Sequence, residues 1–353
     1  MMYKLSHTNK NVQYYYVNEQ MLHYSDHLYY NFKKISGENI IGGSLLDHNH
    51  IIVNKEERQL IIDTNLITIQ EFSNDIILFD TFIKTPTNRI ASVNTIFNDD
   101  GSIVCNWVLF NYTTNKVIQD FRIKTSYCVP VYINENIIVF QDMNKLTSYN
   151  IQNGTVLWEF SDESLASHIL GTFNNEIILP TTANSILTLN AHTGVKEKEW
   201  KEIPKINIGS QIEGVIPEPS SFVLDIENKK LIGAIGTNYI EIELDTNKIK
   251  HIDLIEELQK SNIFFIKQIT DNPFTETHLF LTAMMEQNKN DEKWSYDCLF
   301  ALNRKTFKID WKYNFETQNL GTHTPKASKN HLYQLDNDGT LFVFEKQLEN
   351  TSV

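Results

Sequence analysis

The sequence is poor in glycine, cysteine and basic residues, and each shortage narrows what the chain can do. It has 13 glycines in 353 residues, and asparagine takes turn positions where glycine is common. Its three cysteines, Cys105, Cys128 and Cys298, are scattered and include no adjacent pair. This pattern predicts free, buried thiols in a reducing compartment rather than a disulfide framework.

Basic residues are outnumbered, with 31 lysines and arginines against 44 acidic residues and a net charge of −13. Phosphate binding depends on clustered lysine and arginine, so we expect neither nucleic acid nor an anionic membrane as a partner. The charge is compatible with a basic protein partner. Residues 1–8 are polar and no apolar run reaches membrane-spanning length, which predicts a cytoplasmic protein.

What the sequence does contain is a repeated unit of about 40–50 residues. It combines apolar strand segments with a tight turn that follows an asparagine. Asn150 and Asn190 lie 40 residues apart, as do Gly154 and Gly194, and Trp158 follows Asn150 by eight residues. A fixed period of this size, with several strands in each period, is typical of a β-propeller.

We therefore predict an all-β fold, a single closed β-propeller domain over residues 1–353 with seven four-stranded blades. The predicted blade units are 51–70, 92–121, 137–160, 177–200, 231–252, 279–313 and 332–344. The last unit is incomplete, and the hairpin at 12–24 is predicted to complete it and remove an open sheet edge. Six or eight blades are also compatible with the sequence, because three of the units are degenerate.

Two segments carry a family resemblance. The stretch from Leu187 to Gly194 reads L-T-L-N-A-H-T-G, and Phe300-Ala301-Leu302-Asn303 precedes Trp311. Over roughly residues 125–345 the chain resembles the pyrroloquinoline-quinone-like (WD40-like) propeller repeat. The resemblance implies a fold, since enzymes, assembly factors and binding modules all carry this repeat.

Quinone enzymes with this repeat hold their cofactor with an adjacent cysteine pair, a calcium site and stacking tryptophans. This sequence has no such cysteine pair and no calcium loop. Trp158, Trp200 and Trp311 occupy repeat positions, where packing between blades accounts for them. We therefore expect no cofactor and no metal. One metal arrangement is worth testing: Asp47, His48 and His50 include a His-x-His pair, whose members would share a face on a strand.

Two segments depart from the repeat. The polar stretch 286–294 is predicted to be a long loop within the sixth unit, and Asp291, Glu292 and Trp294 are its candidate binding residues, because aromatic anchors with charged neighbours suit an interface. The stretch 253–261 places Leu254, Ile255 and Leu258 at helical spacing, which predicts a short helix between the fifth and sixth units.

These features favour a non-enzymatic protein-binding propeller, one form of which is an inhibitor, or immunity protein, for a toxic effector. Two alternatives stay open at this point: a hydrolase or lyase that uses the propeller funnel, and a scaffold or assembly factor. The sequence has no Gly-rich phosphate loop and no G-x-S-x-G elbow. Catalytic residues of a propeller come from distant blades, so these absences weigh little against an enzyme.

Overall fold

The computed structural model describes most of the chain, and every structural statement here concerns that part. The described residues are 2–17, 21–73, 76–78, 88–97, 103–125, 129–166, 168–201, 221–267, 269, 273–289, 292–315 and 319–347.

These residues form 32 strands and one helix. The first half of the chain contains β1 (Met2–Asn9), β2 (Tyr14–Val17), β3 (Met21–Tyr24), β4 (Leu28–Tyr30), β5 (Lys33–Lys34), β6 (Ile40–Leu45), β7 (His50–Lys55), β8 (Arg58–Asp63), β9 (Thr68–Ser73), β10 (Ile76–Leu78), β11 (Asn88–Phe97), β12 (Ile103–Asn111), β13 (Lys116–Thr125), β14 (Val129–Asn134), β15 (Ile137–Asp142), β16 (Lys145–Asn150) and β17 (Val156–Ser161). The second half contains β18 (Gly171–Phe173), β19 (Glu176–Pro180), β20 (Ile186–Asn190), β21 (Lys196–Trp200), β22 (Val223–Asp225), β23 (Lys230–Ile235), β24 (Asn238–Glu243), β25 (Ile249–Asp253), α1 (Ile255–Lys260), β26 (Ile263–Ile266), β27 (His278–Lys289), β28 (Glu292–Asn303), β29 (Ile309–Phe315), β30 (Lys326–Ala327), β31 (His331–Leu335) and β32 (Leu341–Gln347).

The strands form eight four-stranded sheets, so the fold is a β-propeller with eight blades. Seven sheets each take four consecutive strands, from β2–β5 to β26–β29, and the eighth has the order β1-β32-β31-β30. The prediction of seven blades was wrong. The additional blade is β2–β5, which contains the 12–24 hairpin together with two short strands. The charged two-residue strand β5 gives no apolar alternation from which a blade could be recognised.

An N-terminal strand completes the last blade, as predicted, but it does not belong to the 12–24 hairpin. It is β1, which pairs antiparallel with β32 and sets Tyr3 opposite Lys346. The 12–24 hairpin instead packs its face on that blade, with Tyr15 among the residues in contact with Tyr333 and Val343. An edge strand buries only one face, so β1 alternates buried Tyr3 with exposed Lys4 and has the polar sequence of a surface segment.

The chain divides into two compact units, Met1–Asp26 with Glu202–Val353, and His27–Lys201. In the first unit, separate apolar clusters join β22–β25 to β26–β29, that sheet to the last blade, and the last blade to β2 and β3. In the second unit, apolar clusters join β6–β9 to β10–β13, that sheet to β14–β17, and that one to β18–β21. A single closed domain remains a prediction.

Two of the repeat anchors, Trp158 and Gln119, pack on the turn of the following blade. Trp158 on β17 donates a hydrogen bond from Nε1 to the carbonyl oxygen of Ala191, at 2.9 Å. Its ring lies against Gly194, whose φ is +69°, so that a Cβ there would be 2.6 Å from Trp158 Cδ2. Gln119, which follows Asn111 by eight residues, lies against Gly154 in the same way. The eight-residue spacing of the sequence therefore marks a joint between blades.

Buried ion pairs form a second kind of joint. Arg89 on β11 donates to Asp47, just after β6, with 2.7 Å between Nη2 and Oδ2. Arg304 after β28 bonds Asp225 at the end of β22, and both side chains are buried. Burial raises the pKa of Asp47, but hydrogen bonds from His50 and the Asn49 amide, with the positive charges of His50 and Arg89, outweigh it and lower that pKa overall.

We predict that Gly194→Ala lowers the free energy of unfolding by about 2 kcal/mol or more, because it adds left-handed backbone strain to a collision with Trp158. Urea unfolding measures the loss. In a Trp158→Leu background the collision is relieved, so the same substitution is expected to cost only the backbone term of about 1–2 kcal/mol. Equal costs in the two backgrounds would show that the ring does not rest on the glycine.

We also predict that Asp47→Asn costs about 1–3 kcal/mol near pH 7, because it removes a charged hydrogen-bond partner of the buried Arg89. The folded pKa of Asp47 is lowered, so its contribution is complete above the unfolded value of about 3.9 and is lost as the pH falls through the folded value. Urea unfolding near pH 7 and near pH 3 is therefore expected to show the gap between variant and wild type closing at low pH.

Asp245→Asn provides the matched control, because the pair between Asp245 and Lys229 is exposed and is expected to contribute less than about 1 kcal/mol. A gap for Asp47→Asn that persists at low pH would contradict the assignment to this ion pair.

Candidate functional site

The segment predicted as a long loop is instead a strand extension. Strands β27 and β28 pair without interruption from His278 opposite Asn303 to Lys289 opposite Glu292. On the flanks, the pairing of β26 with β27 ends at Met285, and the pairing of β29 with β28 ends at Asp297. Within the described residues, 286–289 and 292–295 therefore pair only with each other. We call these eight residues the β27–β28 ribbon; each of its strands extends about 13 Å past the blade.

The three predicted binding residues relate to this ribbon as follows. Asp291 lies outside the described residues. Glu292 lies opposite Lys289, and Trp294 lies opposite Gln287. Because residues two apart on a strand belong to one face, positions 287, 289, 292 and 294 share a face of the ribbon.

The predicted metal arrangement is an ion-pair network. The carboxylate of Asp47 is 2.9 Å from His50 Nδ1 and also accepts from Arg89. His48 is exposed. An arginine bonded to the central carboxylate opposes a second cation there, and none of the described residues form a group of three or more His, Cys, Asp or Glu that could hold a metal ion.

The helix predicted between the fifth and sixth repeat units is present as α1, and its role is in packing. Leu254 and Leu258 are buried in the apolar cluster between the two flanking sheets. Glu257 accepts a hydrogen bond from the backbone N–H of Ile309 at 3.0 Å, which ties the helix to β29. Ile255 is left partly exposed.

Packing also accounts for Cys298 and the repeat tryptophans. Cys298 is a free, buried cysteine, and burial raises its pKa to about 12, far from that of a reactive thiol. Trp158 and Trp311 pack at joints between sheets, and Trp200 is buried. Cys128 lies outside the described residues.

A feature that the sequence analysis missed is a cleft of about 730 Å³ at one end of the β6–β9 sheet. Its lining includes Glu38, Glu56, Glu57 and Glu71 with Lys55 and Arg58. Arg58 and Glu71 form an ion pair of 2.6 Å, and the lining as a whole carries an excess of negative charge. The residues come from turns and strand ends between positions 38 and 73, and only the pairing of the strands brings these three short stretches together.

The helix α1, the one helix among the described residues, lacks the length and apolarity required to cross a bilayer.

No family model matches the chain. The uncharacterized protein RC0314 of Rickettsia conorii is 19% identical over 309 residues, which cover 70% of this chain and 73% of that protein. The uncharacterized protein RP232 of Rickettsia prowazekii is 23% identical over 219 residues, which cover 47% of this chain and 52% of that protein.

Three solved structures are similar over nearly the whole chain. Saccharomyces cerevisiae Sqt1 has a TM-score of 0.55 at 12% identity and covers 98% of both chains. The computationally designed protein Ika8 has a TM-score of 0.55 at 11% identity and covers 95% of this chain and 96% of its own. BamB from Moraxella catarrhalis has a TM-score of 0.46 at 10% identity, with 98% and 100% covered. At these identities the likeness is one of fold: the chain resembles the pyrroloquinoline-quinone-like (WD40-like) β-propellers.

Proposed function

We propose that this chain is a non-enzymatic, cytoplasmic protein-binding propeller that contacts its partner through the β27–β28 ribbon. The observation that supports this most is that the ribbon extends past its blade. Residues 286–289 and 292–295 pair with each other and with no third strand among the described residues. The ribbon thus offers backbone donors and acceptors along its edges, which is the arrangement that an added strand recognises.

The residues of the ribbon suit a protein partner. One face carries the positions of Trp294, Glu292 and Lys289, and tryptophan is among the residue types most enriched among the anchors of protein interfaces. Acidic groups around such an anchor raise the association rate with a basic partner. The net charge of −13 and the glutamate-rich cleft also favour association with a basic partner.

A basic toxic effector is the partner that we favour, with the chain acting as its inhibitor. An inhibitor must be present in quantity in the same compartment and must bind tightly, which fits an acidic protein that presents a projecting contact element on a propeller scaffold. A scaffold or assembly factor would share the fold but would bind two partners together. The number of proteins recovered in one stoichiometric complex therefore separates these two forms.

We predict that Trp294→Ala weakens binding by about 2 kcal/mol or more, because it removes the aromatic anchor, while the melting temperature stays unchanged. The partner is recovered by affinity capture from the native cytosol, and its binding kinetics are then measured with purified proteins. Leu157→Ala is the control, because it truncates a large, exposed apolar side chain in another sheet.

The acidic residues are tested by charge reversal. Asp291→Lys with Glu292→Lys is expected to slow association, most clearly at low salt. Glu56→Lys with Glu57→Lys makes the same change in net charge at the cleft. Equal slowing by both pairs would mean that only the overall charge matters. Wild-type affinity in Trp294→Ala would remove the ribbon from the interface, and failure to recover any stoichiometric partner would favour an enzyme.

A further inference from the structure

A cavity of about 130 Å³ lies within the second unit, where the segment that follows β5 meets one face of the β6–β9 sheet. Its lining is largely apolar and includes Ile35, Ile40, Val53, Leu60, Ile62 and Leu66. Ser36 and Thr68 also line it and are exposed, so the cavity opens to solvent on their side. It is therefore an apolar space that a small molecule can reach.

The cavity occupies a joint that a large side chain fills elsewhere in the same unit. Trp158 packs in an apolar cluster that includes Leu187 and Leu189 of the β18–β21 sheet. Leu60 and Ile62 lie three residues and one residue before the end of β8, as those two leucines do on β20. The face that lines the cavity is thus the counterpart of the face that Trp158 covers.

The residue at the anchor position of this joint is Ile35. Its backbone N–H donates to the carbonyl oxygen of Leu28 at 2.8 Å, and Leu28 lies two residues before the end of β4. On β16 that place belongs to Ser148, which is the partner of Trp158 in the strand pairing. An isoleucine is smaller than an indole ring, and the cavity is the space that the missing ring leaves.

A strained residue forms another part of the wall. Leu66 has a φ of +65°, a conformation that a bulky side chain rarely adopts. The left-handed residue of the corresponding turn is Asn115 in the next sheet and Gly154 in the one after. The turn is held by Asp63, whose Oδ1 accepts from the backbone N–H of Ile67 at 2.8 Å. A leucine kept there at the cost of strain gives the cavity a preorganised apolar wall.

We propose that this cavity binds a small, uncharged aromatic compound with a single ring. An apolar cavity of about 150 Å³ is large enough to bind benzene, and the volume here is close to that. A flat ring suits the joint, since the indole of Trp158 lies against Gly194 at the equivalent place.

The lining also argues against a charged ligand. Lys55 is the one charged residue in the described lining, and it already has an interaction within the protein. The carboxylate of an aromatic acid would lose hydration beside the apolar walls without gaining a new ionic partner. The cavity is therefore expected to prefer the neutral ring to the same ring with a negative charge.

Methyl NMR of the full-length protein, labelled at the isoleucine δ1 methyl groups, tests the proposal with benzene and benzoate. Benzene is expected to shift the signals of Ile35, Ile40 and Ile62 saturably, because an aromatic ring changes the magnetic field at nearby methyl groups. The signal of Ile186, which is buried in the β18–β21 sheet, is expected to stay in place. Benzoate is expected to bind about tenfold or more weakly than benzene.

Two substitutions place the site. Leu66→Asn removes the apolar wall and inserts the residue type found at Asn115, and it is expected to weaken benzene binding about tenfold. Phe307→Asn is the matched control, because Phe307 is also left-handed, with a φ of +55°, but packs on Tyr239 in the first unit. Ile35→Phe fills the joint with a ring from the chain itself and is expected to abolish benzene binding.

Unshifted signals of Ile35, Ile40 and Ile62 would overturn the proposal, as would a shift of the same size at Ile186. Equal affinity for benzoate, or equal losses in Leu66→Asn and Phe307→Asn, would also contradict it. If Ile35→Phe does not fold, Leu66→Asn decides. The result is independent of the proposed protein partner, because Trp294→Ala is expected to leave benzene binding unchanged.

Discussion

The contact on which this fold most depends is the one between an outer-strand side chain and the turn of the next blade. Trp158 shows it fully: its ring covers Gly194, and its indole N–H bonds Ala191. The contact requires a left-handed residue without a Cβ at the turn, and it requires a large flat side chain at a fixed distance along the preceding blade. Gln119 and Gly154 meet in the same geometry without an aromatic ring. A four-stranded sheet has two faces to bury, and this repeated joint sets how neighbouring sheets are stacked.

That joint also explains which parts of the fold could be predicted. Asn150, Asn190 and Asn303 each place a side-chain oxygen within hydrogen-bonding distance of the amides two and three residues later. This local turn favours asparagine or aspartate, because the side-chain oxygen accepts these two hydrogen bonds, so it is visible in the sequence. The blade β2–β5 has no such anchor, and its last strand is two lysines. Nothing local distinguishes it from a hairpin that belongs to the neighbouring blade, which is why seven blades were predicted where eight occur.

The functional surfaces were less predictable than the fold. The ribbon has a sequence without apolar alternation, so it carries no periodic signal of a strand. A loop and a ribbon are therefore indistinguishable in that stretch until the pairing is known. A cleft of about 330 Å³ lined by Tyr14, Tyr15, Thr324 and Lys326 has no local signal for a different reason. Its two sides lie more than 300 residues apart in the chain, since Tyr15 and Thr324 are separated by 309 positions. By contrast, α1 was predicted correctly because its apolar spacing and its interval between two strands are local features.

The strand order of the last blade has a consequence for synthesis of the protein. Strand β1 is complete early, yet the Trp311 side chain that bonds Tyr3 comes 308 residues later, and the hydrogen-bonding partner β32 comes later still. At about 5–20 residues per second, this interval lasts roughly 15 to 60 s. Throughout it, β1 is an unpaired strand whose Tyr3 and Leu5 have nothing of the last blade to pack against. Strand β1 therefore leaves the ribosome long before the other three strands of its sheet, and the nascent protein depends during that time on β1 remaining soluble, to which its lysine, serine, histidine and threonine side chains contribute.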